Sequence, residues 1–337
     1  MRRFISLHLL DIGLFFVVLV WGVSPTFFKI ALAEVQPLTF VIMRFLLLSV
    51  VALVVLFMQG RRRPAVRPFH IRRADIMPII VSGLSGYGIY QLFYIEGLYH
   101  TTAFASALFG ATTPLWSAVL LAISRIERTR PLQWAGILIS LSGIVWFLVA
   151  AQSHATEAPV DRALTPADFL LGNALSLIGA GMFALYGIVN KGLMKRYTPA
   201  ELMAYTLLVG TAALLPFGVA SLASQNWSHV TWRLWVILPY SVLFPIYLTY
   251  SLWNWAIGKR GVGYVTLYSY AVPVLGGTAA FLVLQEQMSH SQVAAAAVVV
   301  GGMLLARWAI TRKGRASAPQ SSTASAAGDT VAREVGD

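Results

Sequence analysis

Polar aromatic residues recur at intervals of three and four positions in two otherwise apolar stretches of the sequence. They are Tyr87, Tyr90, Gln91 and Tyr94 in the first stretch, and Tyr247, Tyr250 and Asn254 in the second. This spacing places each set on one face of a helix. A hydroxyl group that faced lipid would lack a hydrogen-bond partner, so we expect both faces to turn inward and bind a small-molecule substrate. Tyr268, on the following apolar stretch, is expected to join them.

An alternative is that the tyrosines form the belt of aromatic residues found at membrane surfaces. That alternative suits Tyr99 and could include Tyr94, which lie near the end of their stretch. It does not suit Tyr87, Tyr90 or Tyr247, which are predicted to lie deeper in the membrane. We therefore favour a substrate-binding role for the two tyrosine faces.

Ionisable side chains inside a bilayer are candidates for function, because placing a charge there is costly. Arg44 lies about seven residues into an apolar stretch, roughly 10 Å along a helix. Its guanidinium could pair with Glu96 or Glu34, or it could bind a carboxylate of the substrate. It could equally extend outward to the membrane surface. We predict a gating or coupling role for Arg44 and Glu96.

Pro114 and Pro273 interrupt two apolar stretches near their middle. Proline removes a backbone donor and kinks a helix, which leaves carbonyl groups in need of other partners. The pattern is compatible both with hinges that gate the substrate path and with fixed kinks. Glu127 and Glu286 follow the two prolines at the same interval. We predict that they cap a turn or a neighbouring helix.

The composition places the helices that carry these residues in lipid. The chain has 337 residues, of which 58% are hydrophobic and 11% charged, whereas a soluble domain carries roughly 25% charged residues. The net charge of +12 does not indicate nucleic-acid binding, because the basic residues sit in short connections between apolar stretches. The sequence has no cysteine and no motif for a metal or a phosphate group. We therefore predict no cofactor and no enzymatic activity.

A membrane span needs about 20 apolar residues, and the sequence contains ten such stretches. Their approximate bounds are 9–32, 37–58, 76–98, 102–124, 132–151, 168–190, 199–222, 234–257, 262–285 and 291–309. The first resembles a signal peptide that ends at Ala33, but its length favours a transmembrane helix. The clusters of Lys and Arg all fall in alternate connections. This predicts a multi-pass protein of the inner or plasma membrane, with both termini cytoplasmic.

The two halves of the sequence are diverged copies of each other. A shift of about 159 positions matches Pro114 with Pro273, and a shift of about 162 matches Lys29 with Lys191. Because each copy has five spans, an odd number, the second copy is predicted to cross the membrane in the opposite direction. The predicted fold is all-α integral membrane, with ten transmembrane helices as two inverted five-helix repeats. The predicted parts are a first repeat (1–152), an external linker (153–167), a second repeat (168–310) and a disordered cytoplasmic tail (311–337).

A known family has this pattern of residues. The resemblance is carried by Trp21, Gly22, Lys29, Pro37, Arg44, Pro114, Glu127, Gly136 and Gly143 in the first copy and by Pro273, Glu286 and Gly302 in the second. Over residues 9–310 the chain resembles the EamA-type family of the drug/metabolite transporter superfamily. The resemblance implies a ten-helix carrier of small metabolites, often an exporter of amino acids or related compounds. The second copy departs from the pattern at Phe183 and Ala184, which replace Trp-Gly, and at Thr206, which replaces the arginine.

The predicted function is a secondary membrane transporter that exports small metabolites, such as amino acids or aromatic compounds, by alternating access. A uniporter or importer of similar solutes remains open, and a membrane-embedded enzyme or lipid-handling protein is a further alternative. The expected partners are a small-molecule substrate and the lipid bilayer, and no nucleic acid. The chain is expected to be a monomer or a homodimer.

Overall fold

The computed structural model describes residues 2–62, 70–124, 131–152, 164–253, 255–256 and 268–316. Every regular element in these ranges is helical, and no strand occurs among them. The helices are α1 (Arg2–Leu32), α2 (Pro37–Arg62), α3 (Arg73–His100), α4 (Ala103–Ile123), α5 (Pro131–Gln152), α6 (Pro166–Leu193), α7 (Pro199–Ser224), α8 (Trp232–Trp253), α9 (Tyr268–Leu284) and α10 (His290–Ala316).

Eight of these helices, α1 to α8, are long and apolar enough to cross a membrane. The prediction of an all-α membrane fold is confirmed at this level. α9 and the apolar part of α10, His290–Ala306, are shorter. The predicted ninth span began at 262, and residues 262–267 lie outside the described part of the chain. Eight of the ten predicted spans therefore correspond to helices that are long enough to cross a membrane. That α9 and α10 are the ninth and tenth spans stays a prediction.

The predicted linker and tail fall largely on residues that the structure does not describe, 153–163 and 317–337. At its C-terminal end, α10 continues as a helix to Ala316. The division into two repeats, a linker and a tail stays a prediction.

Helices of the first half pack against helices of the second half. α2 lies along α7, with Thr39 Oγ1 2.7 Å from Ser221 Oγ and Ser49 Oγ 3.3 Å from Thr211 Oγ1. Residue numbers rise along α2 as they fall along α7, so the two helices are antiparallel. The hydrogen bonds join hydroxyl groups that would otherwise face an apolar surrounding without partners.

α5 and α10 approach each other through glycine residues. A Cβ atom added to Gly302 would lie 2.7 Å from Gly136 O, and one added to Gly143 would lie 3.1 Å from Ala295 O. Only small residues allow backbones to come this close. The two contacts are equivalent: 159 positions separate Gly136 from Ala295, and the same number separates Gly143 from Gly302. Contacts that exchange in this way are expected where two copies are related by a two-fold axis.

α3 and α8 each contain one π-helical turn, at Leu84–Ile89 and Leu243–Leu248. The same shift of 159 positions converts one turn into the other. A π turn inserts a residue into the helix and rotates the side chains that follow; such turns occur frequently at functional sites. Tyr90 directly follows the first turn, and Tyr250 follows the second by two residues. The periodic pattern of the sequence did not predict either turn.

α4 and α9 are interrupted helices. In α4 a helical segment ends at Gly110, and a second segment, Thr113–Ile123, has Pro114 in its first turn. In α9 the segment Val272–Leu284 follows a 3-10 turn and has Pro273 in its first turn. A first-turn residue has no intrahelical acceptor for its N–H, so proline is tolerated there. Each proline therefore begins a new helical segment, and the predicted gating role of the two prolines stays a prediction.

We expect Gly302→Ala to lower the free energy of unfolding by about 1–3 kcal/mol. The added methyl group would lie 2.5 Å from Ser140 N and 2.7 Å from Gly136 O, and backbone atoms cannot move aside cheaply. The control is Gly301→Ala on the next residue, where nothing lies within 4 Å and alanine is the better helix former. Thermal unfolding of both variants in detergent measures the difference. Equal melting temperatures would contradict the close approach of α5 and α10.

Candidate functional site

Aromatic rings from four helices form a connected group inside the bundle. Tyr90 stacks on Tyr94 with ring centroids 5.7 Å apart, and it lies 4.7 Å from Phe183. Tyr250 lies 6.3 Å from Phe183 and 6.0 Å from Trp21. We call this group, completed by a ring stacked on Phe183, the aromatic cluster: Trp21, Tyr90, Tyr94, Phe183, Tyr186 and Tyr250. It joins α1 and α3 of the first half to α6 and α8 of the second.

The aromatic cluster follows the duplication of the chain. Trp21 and Phe183 are at equivalent positions in the two copies, and Tyr90 and Tyr250 are equivalent to within one or two positions. The contact between Trp21 and Tyr250 is therefore the counterpart of the contact between Phe183 and Tyr90. A π turn precedes the tyrosine in each half, so the same irregular helix geometry presents both tyrosines to the interior.

Trp21 is held by the π turn of α8. Its Nε1 donates to Thr249 Oγ1 at 2.9 Å and to Pro245 O at 3.1 Å. The Thr249 N–H donates to Ile246 O and Phe244 O instead of Pro245 O. Pro245 O accepts from two side chains, the Thr249 hydroxyl at 2.8 Å and Trp21. The irregular turn thus creates the acceptor that fixes the indole ring. From the sequence, Trp21 was identified only as part of the family resemblance. Its contact was not predicted, because a local sequence pattern does not show that an indole in α1 meets a carbonyl group in α8.

Tyr87 and Gln91 are buried beside the aromatic cluster. The Tyr87 ring lies 6.0 Å from Phe45 and 5.7 Å from Tyr186, and 4% of the residue is exposed. Gln91 is 7% exposed.

Tyr90, Tyr94 and Tyr250 are only half-buried, although their rings meet inside the bundle. These three residues thus keep some accessible surface, which contact with a bound solute would require.

The remaining predicted tyrosines, Tyr247 and Tyr268, are not members of the aromatic cluster as defined above. Tyr268 OH donates to Asp11 Oδ1 at 3.0 Å, beside a small apolar group that contains Leu10 and Leu14. Tyr247 lies within the π turn of α8, is half-buried and is not among the rings of the cluster. Asn254 lies outside the described residues.

Arg44 is buried next to the aromatic cluster, with 2% of its surface exposed. It therefore does not extend to the membrane surface, one of the two alternatives for this residue. Its Nη1 donates to Gln91 Oε1 and its Nη2 to Ser241 O, both at 3.4 Å. The guanidinium carbon lies 4.6 Å from the ring centroid of Phe28 and 5.3 Å from that of Phe40.

The ion pairs considered for Arg44 are not formed. Glu34 caps the start of α8, where its carboxylate accepts from Thr231 N at 2.8 Å and from Thr231 Oγ1 at 2.6 Å. Glu96 lies 3.4 Å from Nε2 of His100, one helical turn further along α3, and His100 Nδ1 lies 3.0 Å from Asp168 Oδ1. Each carboxylate thus has a nearer partner. Within the described part of the chain, no group of three or more His, Asp and Glu residues could hold a metal ion.

Two opposite charges hold the sharp connection between α3 and α4. Lys29 Nζ donates to Leu98 O at 3.3 Å and to Thr101 O, carbonyls at the C-terminal end of α3. Glu286 accepts from Ala103 N at 2.9 Å and from the next backbone N–H at 3.3 Å, at the start of α4. A cation at a helix C-terminus and an anion at a helix N-terminus both match the helix dipoles.

Glu286 lies in the connection between α9 and α10 and is 3% exposed. Burial raises the pKa of Glu286, and the charge of Lys29 together with the two backbone N–H groups opposes that rise. The predicted capping role of Glu286 is confirmed by its two bonds to α4. Glu127, its counterpart, lies outside the described residues.

We expect Glu286→Ala to lower the free energy of unfolding by about 3 kcal/mol, because Lys29 and two first-turn N–H groups would stay buried without their carboxylate. Glu286→Gln retains an oxygen for Ala103 and should cost less. The exposed neighbour provides the control, Gln287→Ala, which should leave the melting temperature unchanged. Equal melting temperatures of the Glu286→Ala and Gln287→Ala variants would argue against this role.

The model of the EamA-like transporter family matches the chain twice, over residues 8–149 and 170–308. Each match falls on one of the two copies recognised in the sequence. Together the two matches cover most of the chain, including every residue of the aromatic cluster and Arg44.

Several curated transporters are similar to this chain over most of its length. A transporter of Archaeoglobus fulgidus is 24% identical over 290 residues, which is 85% of this chain and 93% of the relative. A "Probable terminal-alkyne amino-acid exporter" of Streptantibioticus cattleyicolor is 28% identical over 261 residues, 77% of this chain and 80% of its own. A "Probable amino-acid metabolite efflux pump" of Salmonella typhimurium is 26% identical over 299 residues, 86% of this chain and 91% of its own.

A protein of known crystal structure shares the fold, with a TM-score of 0.59 and 20% sequence identity. The alignment covers 92% of this chain and 99% of that protein. The fold is therefore common to proteins whose sequences have diverged widely. With a match to the same model in each half and similar transporters along nearly its full length, the chain belongs to the EamA-like transporter family.

Proposed function

We propose that this membrane transporter exports small amphipathic metabolites, such as amino acids or aromatic compounds, by alternating access. The observation that carries the proposal is the aromatic cluster, which both halves of the chain build and whose tyrosines keep accessible surface. Aromatic walls with a few polar groups suit a small solute that has an apolar part. The relatives named as an amino-acid exporter and an amino-acid metabolite efflux pump support the same class of solute.

The proposal includes two inverted five-helix repeats, with α9 and α10 as the ninth and tenth spans. The contacts between α5 and α10 and those of the aromatic cluster exchange under the sequence shift, which supports a two-fold relation between the halves. The basic residues in alternate connections support cytoplasmic termini and a location in the inner or plasma membrane. Substrate would reach the cluster from one side of the membrane at a time, as one repeat moves against the other.

Two polar contacts between the halves are present in the same conformation. Glu34 accepts from the backbone N–H at the start of α8, and Arg196 donates to Asp75 at the start of α3 through hydrogen bonds of 3.0 and 2.6 Å. In the proposed topology these two contacts lie on opposite sides of the membrane. We assign the change of access to the interrupted helices α4 and α9, because ends of helical segments can absorb a change in backbone angles. In the proposed topology the contact of Lys29 and Glu286 with the connection from α3 to α4 lies on the outer side.

The inverted arrangement can be tested by cysteine labelling, because the natural chain has no cysteine and needs no background changes. We expect Gln287→Cys to react with a membrane-impermeant maleimide in intact cells. Arg61→Cys should react only after the membrane is opened. Both positions are exposed, so a lack of reaction reflects sidedness. Labelling of both positions from the same side would refute the inverted repeats.

Transport itself can be tested by measuring solute flux into proteoliposomes. We expect Tyr250→Ala and Phe183→Ala each to lower the flux of L-phenylalanine about tenfold or more, since each removes an aromatic surface from the cluster. The matched control is Phe217→Ala, whose ring is 65% exposed on the surface of α7. Solute recovered chemically unchanged would separate transport from an enzymatic activity. Flux unaffected by both cluster variants would remove the aromatic cluster from the transport path.

A further inference from the structure

The guanidinium of Arg44 is the starting point, because it is a buried cation without an anion. Within the described part of the chain, no carboxylate oxygen lies within the 4.0 Å of an ion pair with Arg44. The residue is 2% exposed. An unpaired charge in a protein interior is strongly unfavourable, so it normally has a counter-ion or a full set of hydrogen bonds.

The hydrogen bonds of Arg44 do not supply that compensation. Its two acceptors, Gln91 Oε1 and Ser241 O, are uncharged, and each lies 3.4 Å from its donor nitrogen. The usual N···O distance of such a bond is about 2.7–3.2 Å. Nε has no hydrogen-bond partner among the residues that the structure describes. The faces of Phe28 and Phe40 provide only a cation–π contact. Donor capacity therefore remains unused on a planar group suited to bind a carboxylate through two parallel bonds.

Arg44 also lies at one end of the aromatic cluster. Phe28, over which the guanidinium lies, contacts Tyr94 with ring centroids 6.4 Å apart. Gln91 directly follows Tyr90 and precedes Tyr94 by three residues on the same helix. A solute beside these two tyrosines would have the guanidinium within reach of a short polar end.

The second half has no equivalent cation. Thr206 stands at the position that corresponds to Arg44, and its hydroxyl donates to Leu202 O within its own helix at 2.6 Å. The pseudo-symmetric cluster therefore carries its positive charge on one side only. A solute with one anionic group would bind in a single orientation.

We propose that Arg44 binds the carboxylate of the transported solute, so that the substrates are carboxylates with an aromatic or other apolar group. The inference rests on the proposed transport function and gives the chemical class of its substrate. In the absence of solute, Nη1 donates to Gln91 Oε1 and the Nε–H is unused in the described part of the chain. On binding, one carboxylate oxygen accepts from Nε and the other from the second N–H of Nη2, which lies on the same edge of the guanidinium. The apolar group packs on Tyr90, Tyr94 and Phe183.

The test measures the affinity of the purified full chain for three probes by isothermal titration. L-phenylalanine carries a carboxylate and an amine, 3-phenylpropanoate carries the carboxylate alone, and L-phenylalaninamide carries the amine and a neutral amide. We expect the two carboxylates to bind about 10- to 100-fold more tightly than the amide, as expected for hydrogen bonds to a charged group. Arg44→Gln should weaken the two carboxylates by a similar factor and leave the amide unchanged.

The control for the loss of charge is Arg233→Gln, at an exposed position at the start of α8, which should bind all three probes as the natural chain does. Equal affinity of the natural chain for L-phenylalanine and its amide would overturn the inference, whether or not Arg44→Gln folds. If the amide is transported as well as the acid and Tyr250→Ala abolishes both fluxes, the inference fails and the proposed function stands. If none of the probes binds or is transported, both fail.

Discussion

Inside a bilayer there is no water to satisfy a polar group, so each one has to find its partner within the protein. This requirement governs where the helices of this chain are irregular. The π turn of α8 releases Pro245 O, and Trp21 from another helix donates to it. The sharp connection from α3 to α4 leaves carbonyl and N–H groups at two helix ends, and these bind Lys29 and Glu286. Each irregularity is thus also a contact between helices distant in sequence.

The same requirement explains why contacts between the halves use small and hydroxyl residues. Lipid tails are as apolar as leucine, so helices in a membrane associate through close packing and hydrogen bonds. α5 and α10 meet at Gly136, Gly143 and Gly302, and α2 meets α7 through pairs of hydroxyl groups. These two helix pairs join one half to the other. The rings of the aromatic cluster come from four other helices, α1, α3, α6 and α8. The cluster can therefore keep accessible surface without weakening these two contacts.

Much of the architecture could be predicted from the sequence, because hydropathy and the duplication are properties of many residues taken together. The all-helical membrane fold, the family and the interior position of Tyr90, Tyr94 and Tyr250 follow from such patterns. Phe183 and Tyr186 were not predicted as part of the site, because an aromatic residue in an apolar helix gives no signal of which helix it faces. The π turns were not predicted either. Each inserts one residue into its helix, and a shift of one residue is too small to disrupt the periodic pattern of the sequence. The partner of Glu34, Thr231, is distant in sequence, so the sequence could not exclude a pair with Arg44. His100 lies one helical turn from Glu96, but this spacing alone did not decide between His100 and Arg44.

The proposed alternating-access cycle needs two halves that are similar enough to exchange conformations and different enough to hold a solute in one orientation. The similarity is visible in features set by the backbone: the two π turns, the two prolines that begin helical segments and the exchanged glycine contacts. The differences include side chains at and beside the cluster, where Trp21 corresponds to Phe183 and Arg44 to Thr206. Backbone geometry determines how the halves can move, whereas side chains determine what they bind. In the proposed cycle, divergence at positions such as these would change the solute and leave the movement of the halves intact. The fold itself tolerates wide divergence, since it is shared with a protein of 20% sequence identity.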